Sequence, residues 1–329
     1  MRQLPHILVV AFVAGFVTPV PTQIEPCLDR TIPVNIYAWR EEAVTPLTSA
    51  NFQASIRGKP IQVTSVTYDR GPLRIVILLD VSGSMASESR LQWGLEFARD
   101  LISSAPPQDS LALLTFNSRI VNAIAFGQDR TTFLAEVDKL QHTDWGRGKT
   151  AMQDALVSAL ALLKSPSVGD VICLVSDGGE NASQSNSSGV EPLLESAGVR
   201  LYAFLPTWHI VGRRENPEET QGLQELRDLA TSTGGDLLQF VPSQGRNPTV
   251  NAPGPFRVNE KSREELAHAS QDFYREVFSF IKLNVRLPEP LAKPLHWNLD
   301  LVDASGRPNK HLHVFFPQRL APCTSGGTH

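Results

Sequence analysis

Cysteine is scarce: three residues in 329 cannot build a disulfide scaffold, and they show no zinc-ligand spacing. The eight histidines are scattered and include no H-x-x-x-H pair, so a helical zinc site is not expected. There is no basic run and no interleaving of aromatic with basic residues. With a formal charge of −4, this argues against a nucleic-acid partner. Charged residues make up 19% of the chain, below the usual quarter, which argues against general disorder. No apolar run reaches the roughly 20 residues a bilayer demands. The apolar run from Ile7 to Val17, behind Arg2 and ahead of Thr18-Pro19-Val20-Pro21-Thr22, suits an export signal over residues 1–22. It carries no clear A-x-A cleavage pattern, and Cys27 sits in no lipobox. The expectation is a secreted or periplasmic protein with no stable membrane span after signal cleavage.

What is present is concentrated at Ile75-Val76-Ile77-Leu78-Leu79-Asp80-Val81-Ser82-Gly83-Ser84-Met85. A β-branched apolar run reads as a strand buried on both faces, as in a parallel sheet. It ends in a turn carrying oxygen at alternate positions, Asp80, Ser82 and Ser84. Ligands of open α/β sheets bind at that carboxyl edge. A second apolar run, Val171 to Ser176, ends in Asp177-Gly178-Gly179-Glu180. Between them, Gly148-Lys149-Thr150-Ala151 places a threonine just before a helix. Ser82-Gly83-Ser84 by itself is also what an ordinary turn looks like. The three segments together form a hard, all-oxygen donor set suited to Mg²⁺ or a related divalent ion.

These residues resemble the metal-ion-dependent adhesion site of von Willebrand factor type A domains. That site is a D-x-S-x-S turn, a distant threonine and a distant aspartate before glycine. The resemblance implies a metal held by Asp80, Ser82, Ser84, Thr150 and Asp177, with Mg²⁺ (or Mn²⁺ or Ca²⁺) as cofactor. It also implies a protein partner that offers an Asp or Glu to the ion. Lys149 departs from the family, in which the residue before this threonine is usually small. Asp154 and Glu180 are read as solvated or helix-capping groups.

The organisation fits that resemblance. From residue 72 to 240, strands alternate with helices, including amphipathic stretches at 90–104 and 151–163, which predicts a doubly wound, mostly parallel, Rossmann-like sheet. The flanks read differently. Strands at 32–38, 52–56 and 61–68 precede this region, within an N-terminal segment of 30–70. A linker at 241–261, a helix at 262–282 and strands at 283–287, 297–302 and 312–316 follow it, the last within a segment of 283–323. Either set alone would expose an apolar face, so both are expected in one small antiparallel β-domain into which the α/β domain is inserted. Cys27 and Cys323, near the two ends, could pair across it, whereas Cys173 reads as a packed apolar residue. The whole layout, with Leu47-Thr48-Ser49-Ala50-Asn51-Phe52 and Phe316-Pro317-Gln318-Arg319-Leu320-Ala321-Pro322-Cys323, is similar to a secreted subfamily of this superfamily found mainly in acidobacteria.

Three functions follow as expectations. The first is an exported, metal-dependent protein-binding module of adhesion type. The second is a structural protein whose metal locks the loops. The third, a metal-dependent hydrolase, lacks parts. A haloacid-dehalogenase-like phosphatase needs an acid two residues after its aspartate, and Ser82 stands there. No G-x-S-x-G elbow is present, and Glu180 and Asp154 are the nearby candidates for a base. The chain is therefore expected not to be an enzyme.

Overall fold

Strand β1 (Asp29–Ala38) opens a sheet built from both ends of the chain. β2 (Phe52–Ile56) and β3 (Lys59–Thr67) follow it as a hairpin. The chain then enters an α/β region: β4 (Arg74–Asp80), α1 (Arg90–Ser104), β5 (Ser110–Phe116), β6 (Ile120–Ile124), α2 (Arg130–Gln141) and α3 (Met152–Leu163). It continues through β7 (Val171–Val175), α4 (Ser187–Ala197), β8 (Arg200–Pro206), α5 (Pro217–Ser232), β9 (Leu237–Phe240) and α6 (Glu260–Phe278). Last come β10 (Ile281–Arg286), β11 (Leu295–Leu301), β12 (Leu312–Phe315) and the short β13 (Arg319–Leu320). This computed structural model describes residues 27–38, 46–86, 89–142, 148–207, 217–242, 258, 260–303, 305–309 and 311–322. The expected export signal, most of the expected linker and Cys323 lie outside the described residues.

The α/β region forms a six-stranded sheet in the order β6-β5-β4-β7-β8-β9. All its neighbours are parallel except β5 and β6. Successive residues of β4 point to opposite faces, as the strand period requires. Ile75, Ile77 and Leu79 enter one core with α1, α2 and α6, whereas Val76 and Leu78 enter another with α3, α4 and α5. The apolar stripe of the amphipathic stretch at 90–104, Leu91, Leu95, Ala98, Leu101 and Ile102, is buried throughout on α1. Helices thus cover both sides, and the chain reverses its direction of travel across the sheet between β4 and β7.

Helix α6 corrects the expected organisation in two ways. First, it packs on the α/β sheet. Phe273 meets Phe97 edge-on at 5.6 Å between centroids, and the Tyr274 hydroxyl donates to the Phe97 carbonyl at 3.0 Å. The α/β core therefore does not close at Phe240. Second, α6 ends at Phe278, not Lys282. Ile281, Leu283 and Val285 alternate inward as strand residues, and Ile281 pairs with Val34. The apolar spacing across residues 277–281 suits a helix as well as the helix-to-strand junction that occupies it.

The remaining strands form a seven-stranded antiparallel sheet, β12-β1-β10-β3-β2-β11-β13. The C-terminal contribution is four strands, since β13 adds to the expected three. A two-residue strand carries too little alternation to be read from sequence. Strand β10 lies between β1 and β3, so chain-distant segments are hydrogen-bonded neighbours. Their apolar residues, among them Ile32, Val34, Ile61, Leu283, Trp297 and Leu299, make a third core.

Arg200 sits where the two sheets meet and is fully buried. Its guanidinium donates to the carbonyls of Gly169 at 3.2 Å, Val277 at 2.9 Å and Glu276 at 3.2 Å. It also donates to the Tyr202 hydroxyl at 3.0 Å and to Asn35 Oδ1 at 3.3 Å. The Phe280 ring lies under it, 4.2 Å away at the centroid. Asn35 of β1 donates in turn to the Glu276 carbonyl at 2.8 Å. A cation at the last carbonyls of α6 is favoured by the helix dipole. Cys27 is disulfide-bonded, and Cys173 is a free thiol in the core, where burial raises its pKa.

Candidate metal centre

The site lies at the carboxyl ends of β4 and β7, the crevice where open α/β sheets take ligands. The ladder runs one residue past β4, with Val81 N–H on the Phe116 carbonyl at 2.8 Å. The chain then turns, because Asp80 Oδ1 accepts from the Ser82 N–H two residues on at 2.8 Å. That turn brings the Ser82 and Ser84 hydroxyls to 3.2 Å of each other.

Backbone hydrogen bonds stitch the other two loops to this turn. Gly83 N–H reaches the Gly148 carbonyl at 3.1 Å, and Ala151 N–H the Asn117 carbonyl at 2.8 Å, which seats Thr150 beside the turn. The Thr150 N–H donates to Asn181 Oδ1 at 2.9 Å, and the Thr150 carbonyl accepts from Asn181 and Ala182, each at 3.0 Å. The threonine loop and the Asp177 loop are therefore one assembly.

Gly179 shows how closely the oxygens converge. A Cβ added there would lie 3.3 Å from Asp177 Oδ1, 3.7 Å from Thr150 Oγ1 and 3.9 Å from Ser84 Oγ. Three side chains from three loops share the space that glycine leaves. The preceding Gly178 has φ +84°, and α5 meets its carbonyl at Gly222, where a Cβ would be only 1.8 Å away. Gly178, by its positive φ, and Gly222, by this close approach, are the glycines that let the loop keep this path.

All five expected site residues lie at this cluster. Asp80 and Ser82 are 0% exposed, Thr150 2% and Asp177 3%, while Ser84 is half-buried at the mouth. Burial, and then the neighbouring Asp177 carboxylate, push Asp80 up to about 7, against hydrogen bonds from Ser82 and Ser176. Two carboxylates close together in a dry cup repel, and a cation would relieve both. The donors are hard oxygens, as Mg²⁺, Mn²⁺ or Ca²⁺ require. The residues therefore fit a divalent ion. Among the described residues there is no group of three or more His, Cys, Asp or Glu side chains suited to a metal; two carboxylates with three hydroxyls is a different donor set.

Several contributors were not read from the sequence. The Ser176 hydroxyl donates to Asp80 Oδ2 at 2.7 Å and accepts from Gly178 N–H at 3.1 Å, which fixes the carboxylate. A hydroxyl directly before Asp-Gly at a strand end was the available signal. Arg90 donates to Asp177 Oδ2 at 2.8 Å from 87 positions away. Lys149, the departure from the family pattern, is exposed.

The candidate bases are engaged elsewhere. Glu180 accepts from Ala182 at 3.1 Å, Ser183 at 2.9 Å and Gln153 at 2.9 Å, all backbone N–H groups, so it caps α3 from a neighbouring loop. Asp154 accepts from the Gln184 and Ser185 N–H groups, each at 2.9 Å; these bonds hold its pKa below the usual value although partial burial opposes them.

Comparison with known proteins gives the following. No curated protein matches the chain. Solved structures similar to it include BatB from Bacteroides thetaiotaomicron, 12% identical, covering 62% of this chain and 99% of that one, with TM-score 0.42. Proximal thread matrix protein 1 from the mussel byssus, with a zinc-occupied MIDAS motif, is 19% identical over 67% of this chain and 50% of its own, with TM-score 0.47. The pilus adhesin SpaC from Lactobacillus rhamnosus GG is 14% identical over 88% of this chain and 41% of its own, with TM-score 0.43. Among the described residues no helix is long and apolar enough to cross a membrane. Residues 75–180 match the von Willebrand factor type A domain, and that span holds every side chain of the oxygen cluster.

Proposed function

We propose that this chain is an exported protein-binding module whose Asp80, Ser82, Ser84, Thr150 and Asp177 hold a divalent cation, Mg²⁺ foremost. In this reading the α/β unit is an insertion into the antiparallel sheet, in the layout of the secreted subfamily. The partner presents an Asp or Glu. The single observation that carries the reading is the convergence of Ser84, Thr150 and Asp177 oxygens on the hydrogen face of Gly179. Once bound, the ion supplies an electrophilic point that a partner carboxylate can ligate. The residues of this chain do the rest: Ser176 and the Ser82 N–H aim Asp80, and the Thr150–Asn181 bonds keep two loops in register.

A non-catalytic role is supported by the engagement of Glu180 and Asp154 in loop hydrogen bonds, which takes their oxygens away from any bound water. A loop-locking role for the metal is disfavoured, because protein hydrogen bonds already join the three loops. The test is calorimetric titration of Mg²⁺ into wild type and Ser82→Ala, with circular dichroism as the fold control. Mg²⁺ demands near-octahedral geometry, so losing one ligand is expected to weaken binding by about tenfold or more. Equal affinity in the two proteins would remove Ser82 from the ligand set and the adhesion reading with it.

A further inference from the structure

We propose that Arg90 is a built-in counter-cation of the Asp80–Asp177 cluster and holds its affinity for divalent ions down. This rests on the metal-binding reading above and adds a residue that tunes it.

Arg90 is the first residue of α1, where the helix dipole disfavours a positive charge. No acidic residue in the first turn compensates, and the preceding Ser89, at φ 61°, makes no side-chain cap. Arg90 pairs with Asp177 at 2.8 Å, with the two side chains only 10% and 1% exposed. The carboxylate is divided between two tasks. Oδ2 takes the guanidinium, while Oδ1 faces Thr150 and Ser84 and accepts from Gly179 N–H at 3.2 Å.

That second bond decides between two roles for Arg90. If arginine mainly aimed Asp177, removing it would free the carboxylate and weaken metal binding. Gly179 N–H still holds Oδ1, however, so the carboxylate keeps its aim. What removal changes is charge. A positive group next to a cation site repels the ion, and in a buried cup solvent and salt screen this poorly. Without Arg90, two buried carboxylates are left closer to uncompensated, and an entering cation gains more. Arg90 thus stands in for part of the ion's charge when the ion is away, so the empty cup stays folded and cation binding stays reversible.

The experiment titrates Mn²⁺ into chelator-treated full chain for wild type, Arg90→Gln and Arg90→Lys, with thermal melts of each protein with and without the ion. Arg90→Gln is expected to tighten Mn²⁺ by about tenfold or more, because one like charge leaves a poorly screened site. Its ion-free form should melt lower, and Mn²⁺ should raise its melting temperature more than that of wild type. Arg90→Lys keeps the charge and should stay within about threefold of wild type. If Arg90→Gln folds only with Mn²⁺ present, that supports the same conclusion. Unchanged or weaker binding by Arg90→Gln overturns it, as does Arg90→Lys tightening equally. If wild type and Arg90→Gln both bind alike, only this inference falls; if neither binds Mn²⁺, the metal reading falls and takes it along.

Discussion

Replacing Arg200 with methionine should unfasten the two sheets. The side chain is fully buried, and three of its partners are fixed backbone carbonyls. The Glu276 carbonyl keeps Asn35 and Tyr202 as donors, but the Gly169 and Val277 carbonyls and Asn35 Oδ1 lose the guanidinium. Stranding a buried acceptor costs about 1–3 kcal/mol each. The cation–π contact with Phe280 adds about 0.5–2 kcal/mol. Methionine returns part of this by filling the space, and the desolvation cost of the charge disappears. Replacing a whole buried ion pair by apolar residues is often neutral for that reason. Here the carbonyl partners stay behind, so the loss dominates, and the net cost should be about 3–5 kcal/mol. In a chain of this size each kcal/mol moves the midpoint by about 2 °C, so the expected fall is about 6–10 °C. Differential scanning calorimetry reads it directly. The antiparallel sheet should also unfold before the α/β unit, as a second transition. A midpoint within about 2 °C of the parent, with one transition, would refute the reasoning, since it falls below even one stranded acceptor by the same conversion.

Other outcomes follow from the same junction. Burial, then the neighbouring Asp236 carboxyl, push Glu276 up to about 8 from an ordinary 4.5, against the hydrogen bond from Tyr37. The folded state therefore holds this proton to higher pH than the unfolded chain does, and stability falls as pH rises from 4.5 through 8. Thermal midpoints across that window should decline in wild type and decline less in Glu276→Gln; parallel curves would count against it. Ending the chain after Ser279 removes β10 from between β1 and β3, so the amides of Ile32 and Val34 should lose hydrogen-exchange protection. Parent-like protection there, or an unchanged midpoint, would show that β1 does not depend on β10.

The cluster was legible because its signals are local. Asp80 ends an apolar strand, two hydroxyls follow at alternate positions, and Asp177 repeats the pattern before two glycines. Strand–helix alternation carried the six-stranded sheet by the same logic. What escaped is tertiary. Arg90 looks like any surface residue opening a helix until Asp177 arrives from the end of β7, 87 positions away in the chain. Helix α6 was visible in the sequence, but periodicity does not name the surface a helix meets, and that surface is α1 and the α/β core. The position of Lys149 in the loop was visible, and its exposure was not.

The place of β10 between β1 and β3 has a consequence in time. Thr31 and Asn284, joined by a hydrogen bond at 2.7 Å, are 253 positions apart in the chain. As the polypeptide emerges from its N-terminus, β1 and β3 exist long before the strand that pairs with both. At about 5–20 residues per second, the delay amounts to tens of seconds. Meanwhile each offers an open edge, the usual starting point for pairing with a wrong chain. Each also carries a proline, Pro33 and Pro60, which has no N–H to extend a ladder. Pro60 is taken up early by the β2–β3 hairpin, opposite Ser55, whereas Pro33 lies opposite Lys282 of β10 and during synthesis blunts the edge of β1 that must wait.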